Sequence, residues 1–123
     1  MATLTPTLTL TSADALSDTL SLSVTDSLTI SGKSKRFTVV TSTTAAAFLA
    51  AGDYTDSYVY LKNKSTTGAE IIHIRSGGTG DADIISLGAG EFAFFPWSSD
   101  EDLNYDAASG TPVLDVLIFQ ANA

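Results

Sequence analysis

Residues 58–62 read Tyr-Val-Tyr-Leu-Lys, an aliphatic side chain alternating with an aromatic or charged one. A period of two is typical of a β-strand whose two faces meet different surroundings. Similar segments follow at short intervals, with Gly- or Ser-rich turns between them. We predict strands at 36–41, 58–62, 69–75, 83–87, 91–96, 103–107 and 113–119.

The spacing of these segments indicates the fold class. With the N-terminal segments included, roughly eight to nine short strands succeed one another at the spacing of sandwiches and barrels. No helical crossover separates them, which argues against a parallel sheet. The sequence therefore predicts an all-β protein with an antiparallel, jelly-roll-like β-sandwich. The alanine-rich stretch from Thr43 to Gly52 predicts one short connector helix within it.

The first 31 residues differ from the rest of the chain. They contain no Lys, Arg, aromatic residue or Gly, and 14 of them are Ser or Thr. Leucines alternate with these hydroxyl residues, which predicts half-buried strands; they include Leu8, Leu10, Leu20 and Leu22. Two interpretations stay open, namely two strand-turn units or a mobile arm that orders on a partner. We divide the chain into N-terminal strands or an arm at 1–31 and a sandwich core at 32–123.

Charge and composition exclude several classes of function. The formal net charge is −8, so a nucleic acid would be repelled and is not expected as a partner. There is no cysteine for a disulfide, a thiolate metal site or a cysteine nucleophile. No apolar run approaches a membrane span, and the N-terminus lacks the pattern of a signal peptide. We expect synthesis in the cytoplasm and no membrane partner.

His73 and residues 100–106 are candidate sites for catalysis or metal binding. His73 is the only histidine, and it lies in an apolar strand with no partner evident for catalysis or metal binding. Residues 100–106 carry oxygen ligands at the spacing of a calcium loop, but Tyr105 occupies the position that requires glycine. Strand alternation explains the same segment, with Leu103 and Tyr105 inward and Asp102, Asn104 and Asp106 outward.

Two glycine-containing segments are equally weak as signatures. Residues 77–81 partly match a glycine-rich calcium repeat, but one copy is too few, and glycines that permit positive φ in a hairpin explain it better. Residues 90–96 resemble a strand motif of cupins, whose metal-binding histidines this chain lacks. We therefore expect no catalytic residue, no metal and no cofactor.

Surface contacts are the remaining class of function. The aromatic cluster at 92–97 has more rings than one face can bury, so we predict that Phe95 or Trp97 lies at an edge or a subunit interface. Lys33, Lys35 and Arg36 hold half of the six basic residues and form a candidate contact for an acidic partner, although a solvated turn also explains them. Together with the arm leucines, these residues are the candidate interface.

Several segments of the chain resemble those of a known protein family. The Ser/Thr-Leu alternation of residues 7–30, the strand at 58–63, the segment at 85–97 and the closing strand at 110–119 are similar to those of capsid decoration (cement) proteins of tailed bacteriophages, marine ones especially. The resemblance implies a virion structural protein on the capsid surface that binds between major capsid protein subunits and stabilises the shell. It also implies a homo-oligomer without catalytic residues, with a trimer favoured over a dimer.

Three alternatives stay open at this stage. The first is a fibre, spike or tail component with a sandwich fold. The second is a carbohydrate-binding sandwich, with Trp97, Tyr58 and Tyr60 as a stacking platform. The third is a degenerate cupin-like enzyme, which the missing metal ligands disfavour.

Overall fold

The computed structural model describes residues 2–121, and all regular secondary structure in that range is β-strand. No helix in this range could cross a membrane. In chain order the strands are β1 (Ala2–Leu4), β2 (Thr7–Ser12), β3 (Leu20–Thr25), β4 (Leu28–Ile30), β5 (Ser34–Val40), β6 (Ala46–Leu49), β7 (Ser57–Asn63), β8 (Ile72–Ser76), β9 (Asp83–Leu87), β10 (Phe92–Trp97), β11 (Leu103–Ala107) and β12 (Val113–Gln120).

Strands β5 to β12 build two four-stranded sheets in which every pairing is antiparallel. The first sheet has the order β10-β7-β12-β5, and the second has the order β6-β11-β8-β9. Most successive strands change sheet, which is the connectivity of a jelly roll. The predicted fold class, an all-β antiparallel sandwich of jelly-roll type, is confirmed.

The core lies between the inner faces of these two sheets. In β7, Val59 and Leu61 are fully buried, whereas Tyr58, Tyr60 and Lys62 alternate with them on the outer face. The pleat of a strand produces this division, because successive side chains point to opposite faces. The neighbouring strand β12 adds Leu114, Val116 and Ile118 to this inner face. The facing side chains from β8 of the second sheet are Ile72 and Ile74.

The predicted connector helix is wrong. Residues 46–49 form the edge strand β6, which pairs with β11 and places Leu49 opposite Leu103. Alanine favours helices, but a helix of two turns has little stability of its own. As a strand the segment packs Phe48 and Leu49 against the core, and tertiary packing therefore outweighs the local propensity.

Asn63 is the buried polar residue that joins the ends of the two sheets. Its Nδ2 donates hydrogen bonds to the carbonyl oxygens of Glu70 (2.8 Å) and Leu87 (3.0 Å), and its Oδ1 accepts one from the Ser65 amide (3.0 Å). The side chain is fully buried at the end of β7. Its hydrogen bonds offset the cost of removing the amide from water.

Residues 2–30 form a two-stranded ribbon outside the sandwich, here called the ribbon. Strand β2 pairs with β3, and β1 pairs with β4. The amide of Asp26 donates to the carbonyl of Pro6 between the two ladders (3.1 Å), so the ribbon continues across the break. Proline has no N–H to donate, which explains the interruption. Residues 2–30 therefore contain paired strands, as in the first of the two interpretations given for the N-terminus.

The ribbon is attached to the sandwich at its base. Ile30 is buried, with 5% of its surface exposed. The amides of Ser31 and Gly32 both donate to the carbonyl of Gln120 (3.3 Å each), and the Ser31 hydroxyl donates to the carbonyl of Ala121 (3.1 Å). The remainder of the ribbon depends on its own ladder.

Candidate interaction surfaces

One face of the ribbon is apolar and uncovered. The register sets Leu8 opposite Val24 and Leu10 opposite Leu22, so these four side chains share a face, here called the apolar face. Between 40% and 51% of each is exposed, and none of the four belongs to the described core or packs against it. The predicted leucine alternation is therefore real, but the structure leaves the side chains in solvent. Leu20, the remaining leucine among the predicted ribbon contacts, is half-buried at the start of β3.

The opposite face of the ribbon carries hydroxyl groups. Thr7 and Thr25 contact each other across the ladder with their oxygens 3.1 Å apart, and Thr9 lies opposite Ser23. Cross-strand hydroxyl pairs of this kind contribute little to stability individually. A ribbon with two solvent-exposed faces is marginal by itself, because an isolated pair of strands has almost no core.

The charges of the ribbon are all acidic. Its three ionisable side chains are Asp14, Asp18 and Asp26, and no basic residue lies within 1–31. Two of them occupy the turn between β2 and β3, together with Leu16, which is 59% exposed. The Ser12 hydroxyl orders the start of this turn by accepting hydrogen bonds from the amides of Asp14 (3.3 Å) and Ala15 (3.0 Å).

The outer face of the first sheet is aromatic. Tyr58 stacks with Phe94 at a centroid distance of 6.3 Å, and Tyr60 stacks with Phe92 at 6.2 Å. We call these four rings the aromatic face. Phe92 is 60% exposed and Phe94 is 39% exposed. Exposed aromatic clusters are typical of protein interfaces, where rings supply a large contact area at little entropic cost.

Within the cluster at 92–97, the exposed and buried members are the reverse of those predicted. Trp97 is buried, and its Nε1 donates to the carbonyl of Glu101 (3.2 Å). Phe95 is half-buried and packs against the core. The register of β10 with β7 sets Phe94 opposite Tyr60, which puts the even-numbered phenylalanines outside and Phe95 and Trp97 inside. The burial of Trp97 also removes it from the stacking platform that carbohydrate binding would need.

The basic residues at 33–36 do not form one patch. Lys33 donates to the carbonyl of Asp53 (2.9 Å), and Lys35 lies 5.2 Å from the ring centroid of Phe37. Arg36 points to the other face of the sheet, where it pairs with Asp115 at 3.0 Å. Alternation along β5 separates neighbours that the sequence groups together.

A different basic cluster forms on the outer face of the first sheet. A shallow depression of about 320 Å³, here called the basic depression, is lined by Arg36, Tyr60, Lys62, Lys64 and Asp115. The Asp115 side chain is only 7% exposed, and its Oδ1 has no hydrogen-bond partner within residues 2–121. This cluster is not evident in the sequence, because strand register, rather than proximity along the chain, brings β5, β7 and β12 together.

The second sheet carries an ion-pair network on its outer face. The Arg75 guanidinium bonds Asp83 through Nε (2.6 Å) and Asp106 through Nη2 (2.5 Å), and it also donates to the carbonyl of Thr79. The hydrogen bond from Arg75 lowers the pKa of Asp83 below its ordinary value. The Nδ1 of His73 lies 3.5 Å from the same carboxylate. Arg75, Asp83 and Asp106 therefore form an ion-pair network that links β8, β9 and β11, and His73 lies at its edge.

Residues 100–106, which have the ligand spacing of a calcium loop, instead make hydrogen bonds within the fold. Asp102 Oδ1 accepts a hydrogen bond from the backbone amide of Ala51 (2.7 Å), and the side-chain Nδ2 of Asn104 donates to the carbonyl of Gly77 (2.7 Å). Leu103 and Tyr105 face the core as predicted, but Asn104 is buried rather than exposed. Gly77 has φ of +98°, as the hairpin interpretation expects. Within residues 2–121, no group of three His, Asp or Glu side chains is placed to hold a metal ion.

Comparison with known proteins yields a likeness in fold. No family model matches the chain, and no curated protein matches it. Among solved structures, the chain is similar to a protein from the work titled "Bacillus endospore appendages form a novel family of disulfide-linked pili", with a TM-score of 0.52 and 21% identity. The match covers 76% of this chain and 90% of that chain. At this identity the likeness shows a shared fold.

Proposed function

We propose that this protein is a non-enzymatic structural subunit that decorates the outer capsid surface of a tailed bacteriophage. The observation that supports this most is the apolar face of the ribbon, with Leu8, Leu10, Leu22 and Val24 left in solvent. Exposed apolar surface on a projecting element costs free energy unless a partner covers it. If another subunit covers the apolar face in the assembly, the presence of this exposed surface is explained.

The two parts of the chain suit this role differently. The sandwich supplies a rigid body, and the ribbon extends from it as an element that can lie against a neighbour. A decoration protein binds across several shell subunits, so each contact can be weak while their sum is strong. Binding to the assembled shell but not to its separated subunits then stabilises the shell by mass action. The major capsid protein is the proposed partner, and no cofactor is needed.

A fibre, tail or appendage subunit is the second candidate. It is favoured by the likeness to a protein whose title describes disulfide-linked pili. This chain has no cysteine, so a filament built from it would depend on non-covalent contacts. The ribbon would then link successive subunits along an axis rather than attach them to a shell.

Immunogold labelling of particles from the producing host distinguishes these functions. An antibody against the purified protein should label the whole shell at high density. Label confined to a tail, a single vertex or a filament would replace decoration with the second candidate. Particles that carry no label would contradict both.

A ribbon variant tests the observation itself. The double substitution Leu10→Ser and Leu22→Ser removes the centre of the apolar face without touching the sandwich, and should greatly reduce occupancy on shells. Thr9→Ala and Ser23→Ala on the hydroxyl face serve as the matched control, because these residues occupy the opposite face of the same ladder. Equal occupancy of both variants would remove the ribbon from the proposed function.

A further inference from the structure

We propose that the apolar face of the ribbon docks on the aromatic face of a second copy of this chain. This inference rests on the proposed function only in taking the ribbon as a protein-binding element. It names the partner of that element as the protein itself, and thereby accounts for a homo-oligomer.

The two surfaces match in chemistry. Aliphatic side chains project from one face of the ribbon, and the stacked rings of Tyr60, Phe92 and Phe94 form an exposed surface on the first sheet. Contact between them would remove apolar area from water on both sides, which favours association. Aromatic rings that lie close together are also typical of the residues that contribute most to interfaces.

Charge selects the sheet over a second ribbon as the partner. The ribbon carries three aspartates and no cation, so two ribbons packed face to face would bring like charges together. The basic depression lies beside the aromatic face and shares Tyr60 with it. Its cations Arg36, Lys62 and Lys64 outnumber its one carboxylate, Asp115. An acidic ribbon on a basic sheet face is therefore the complementary arrangement.

The ribbon of the same chain reaches only one edge of the aromatic face. Its base contributes Leu4 and Pro6 to a cleft of about 370 Å³ whose lining also includes Tyr60 and Phe94. The aromatic face stays exposed at Phe92, and the apolar face stays exposed as well. A ribbon from a second copy would extend the cover that the base begins.

The proposed contact joins two different patches, so it is head-to-tail. Every copy then offers one ribbon and one sheet face, and the assembly closes into a ring or grows into a filament, depending on the rotation between copies. A closed ring of three is the trimer that the family resemblance implies. Such a ring would present several copies of its shell-binding surface together, which raises avidity for the shell.

Complementation between two full-length variants tests the contact. The ribbon variant carries Leu10→Ser and Leu22→Ser, and the sheet variant carries Phe92→Ser and Phe94→Ser. Both are measured by sedimentation velocity over a range of concentrations, alone and mixed in equal amounts. We expect the wild type to associate and each variant alone to stay monomeric, with an apparent dissociation constant raised at least about tenfold. The mixture should form a one-to-one complex, since each variant keeps the surface that the other has lost.

The controls separate a lost contact from a lost fold. All four substituted side chains are substantially exposed, so circular dichroism and the unfolding midpoint should change little. Ile84→Ser is the matched control for the sheet variant, because Ile84 is a 58% exposed apolar residue on the second sheet. If the ribbon variant misfolds, the double substitution Leu8→Ser and Val24→Ser replaces it, because Leu8 and Val24 are a second cross-strand pair on the same apolar face.

Each other result would overturn the contact. A sheet variant that still associates while the ribbon variant does not would indicate a symmetric contact between ribbons. Two monomeric variants that form no complex when mixed would show that the two surfaces do not meet. A wild type that stays monomeric at every concentration would assign the ribbon to a different protein. The labelling of particles would still decide the proposed function in that case, because it does not depend on self-association.

Discussion

The ribbon and the sandwich use the same alternation of side chains and reach opposite outcomes. In the sandwich, the aliphatic face of β7 meets a second sheet, and Val59 and Leu61 are fully buried. In the ribbon, the aliphatic face is not part of the core described within residues 2–121, and Leu10 and Leu22 remain about two-fifths exposed. Periodicity therefore specifies a strand and its two faces, but the presence of a cover is a property of tertiary or quaternary structure.

The largest expected effect is on the free energy of unfolding when the same substitution is made in the two regions. Leu61→Ala should cost about 2–5 kcal/mol, because it removes a fully buried side chain and leaves a cavity. Leu10→Ala should cost less than about 0.5 kcal/mol in dilute monomer, because its side chain is already partly solvated. Urea denaturation measures both, and similar losses would show that the ribbon is packed as firmly as the core.

A second prediction concerns the polar link between the sheets. Asn63→Ala should cost about 1–3 kcal/mol, since the carbonyls of Glu70 and Leu87 lose their donor in a buried setting. Thr9→Ala in the ribbon provides the contrast, because its hydroxyl lies on the solvent-exposed face and the substitution should change stability little. If denaturation midpoints show no difference between these variants, the buried amide does not hold the sheets together.

The smallest expected effect concerns the ion-pair network of the second sheet. The hydrogen bond from Arg75 lowers the pKa of Asp83, so the native state favours the charged carboxylate. That stability is present above the ordinary pKa of 3.8 and is lost as the pH falls through the lowered value. Asp83→Asn should thus be slightly less stable than the wild type at pH 7, and the two should converge at acidic pH.

Salt provides the control for this effect. Ion pairs near the surface weaken as counterions screen them, so about 1 M sodium chloride should reduce the difference between wild type and Asp83→Asn at pH 7. Thermal unfolding across pH and salt is sufficient for the measurement. A difference that persists unchanged at low pH would mean that the carboxylate acts through shape rather than through charge.

Much of the sandwich could be predicted from the sequence. Alternation predicted the strands of the second half and the inward positions in β11, because a buried face leaves a strong pattern. Residues 46–49 were mispredicted as helix, since alanine content reports local propensity and the pairing with β11 is not local. Phe92 and Phe94 were separable from Phe95 and Trp97 by period, but only the register with β7 decides which pair faces inward.

The candidate surfaces were less predictable than the fold. The leucines of the ribbon and the cluster at 92–97 are candidate contacts in the sequence alone. The pairing of Phe92 and Phe94 with Tyr58 and Tyr60 is not evident there, because β7 and β10 are distant in the chain. The basic depression likewise combines β5, β7 and β12. Surfaces assembled from distant segments leave no local pattern in a single sequence.

Hydrogen exchange of the ribbon amides as a function of protein concentration tests the central claim most directly. We predict that amides in β2 and β3 exchange far faster than those in β7 and β12 when the protein is dilute, because an uncovered ribbon opens readily. At high concentration the ribbon should become protected while the sandwich changes little. Ribbon exchange that stays the same at every concentration would contradict the docking of one copy on another.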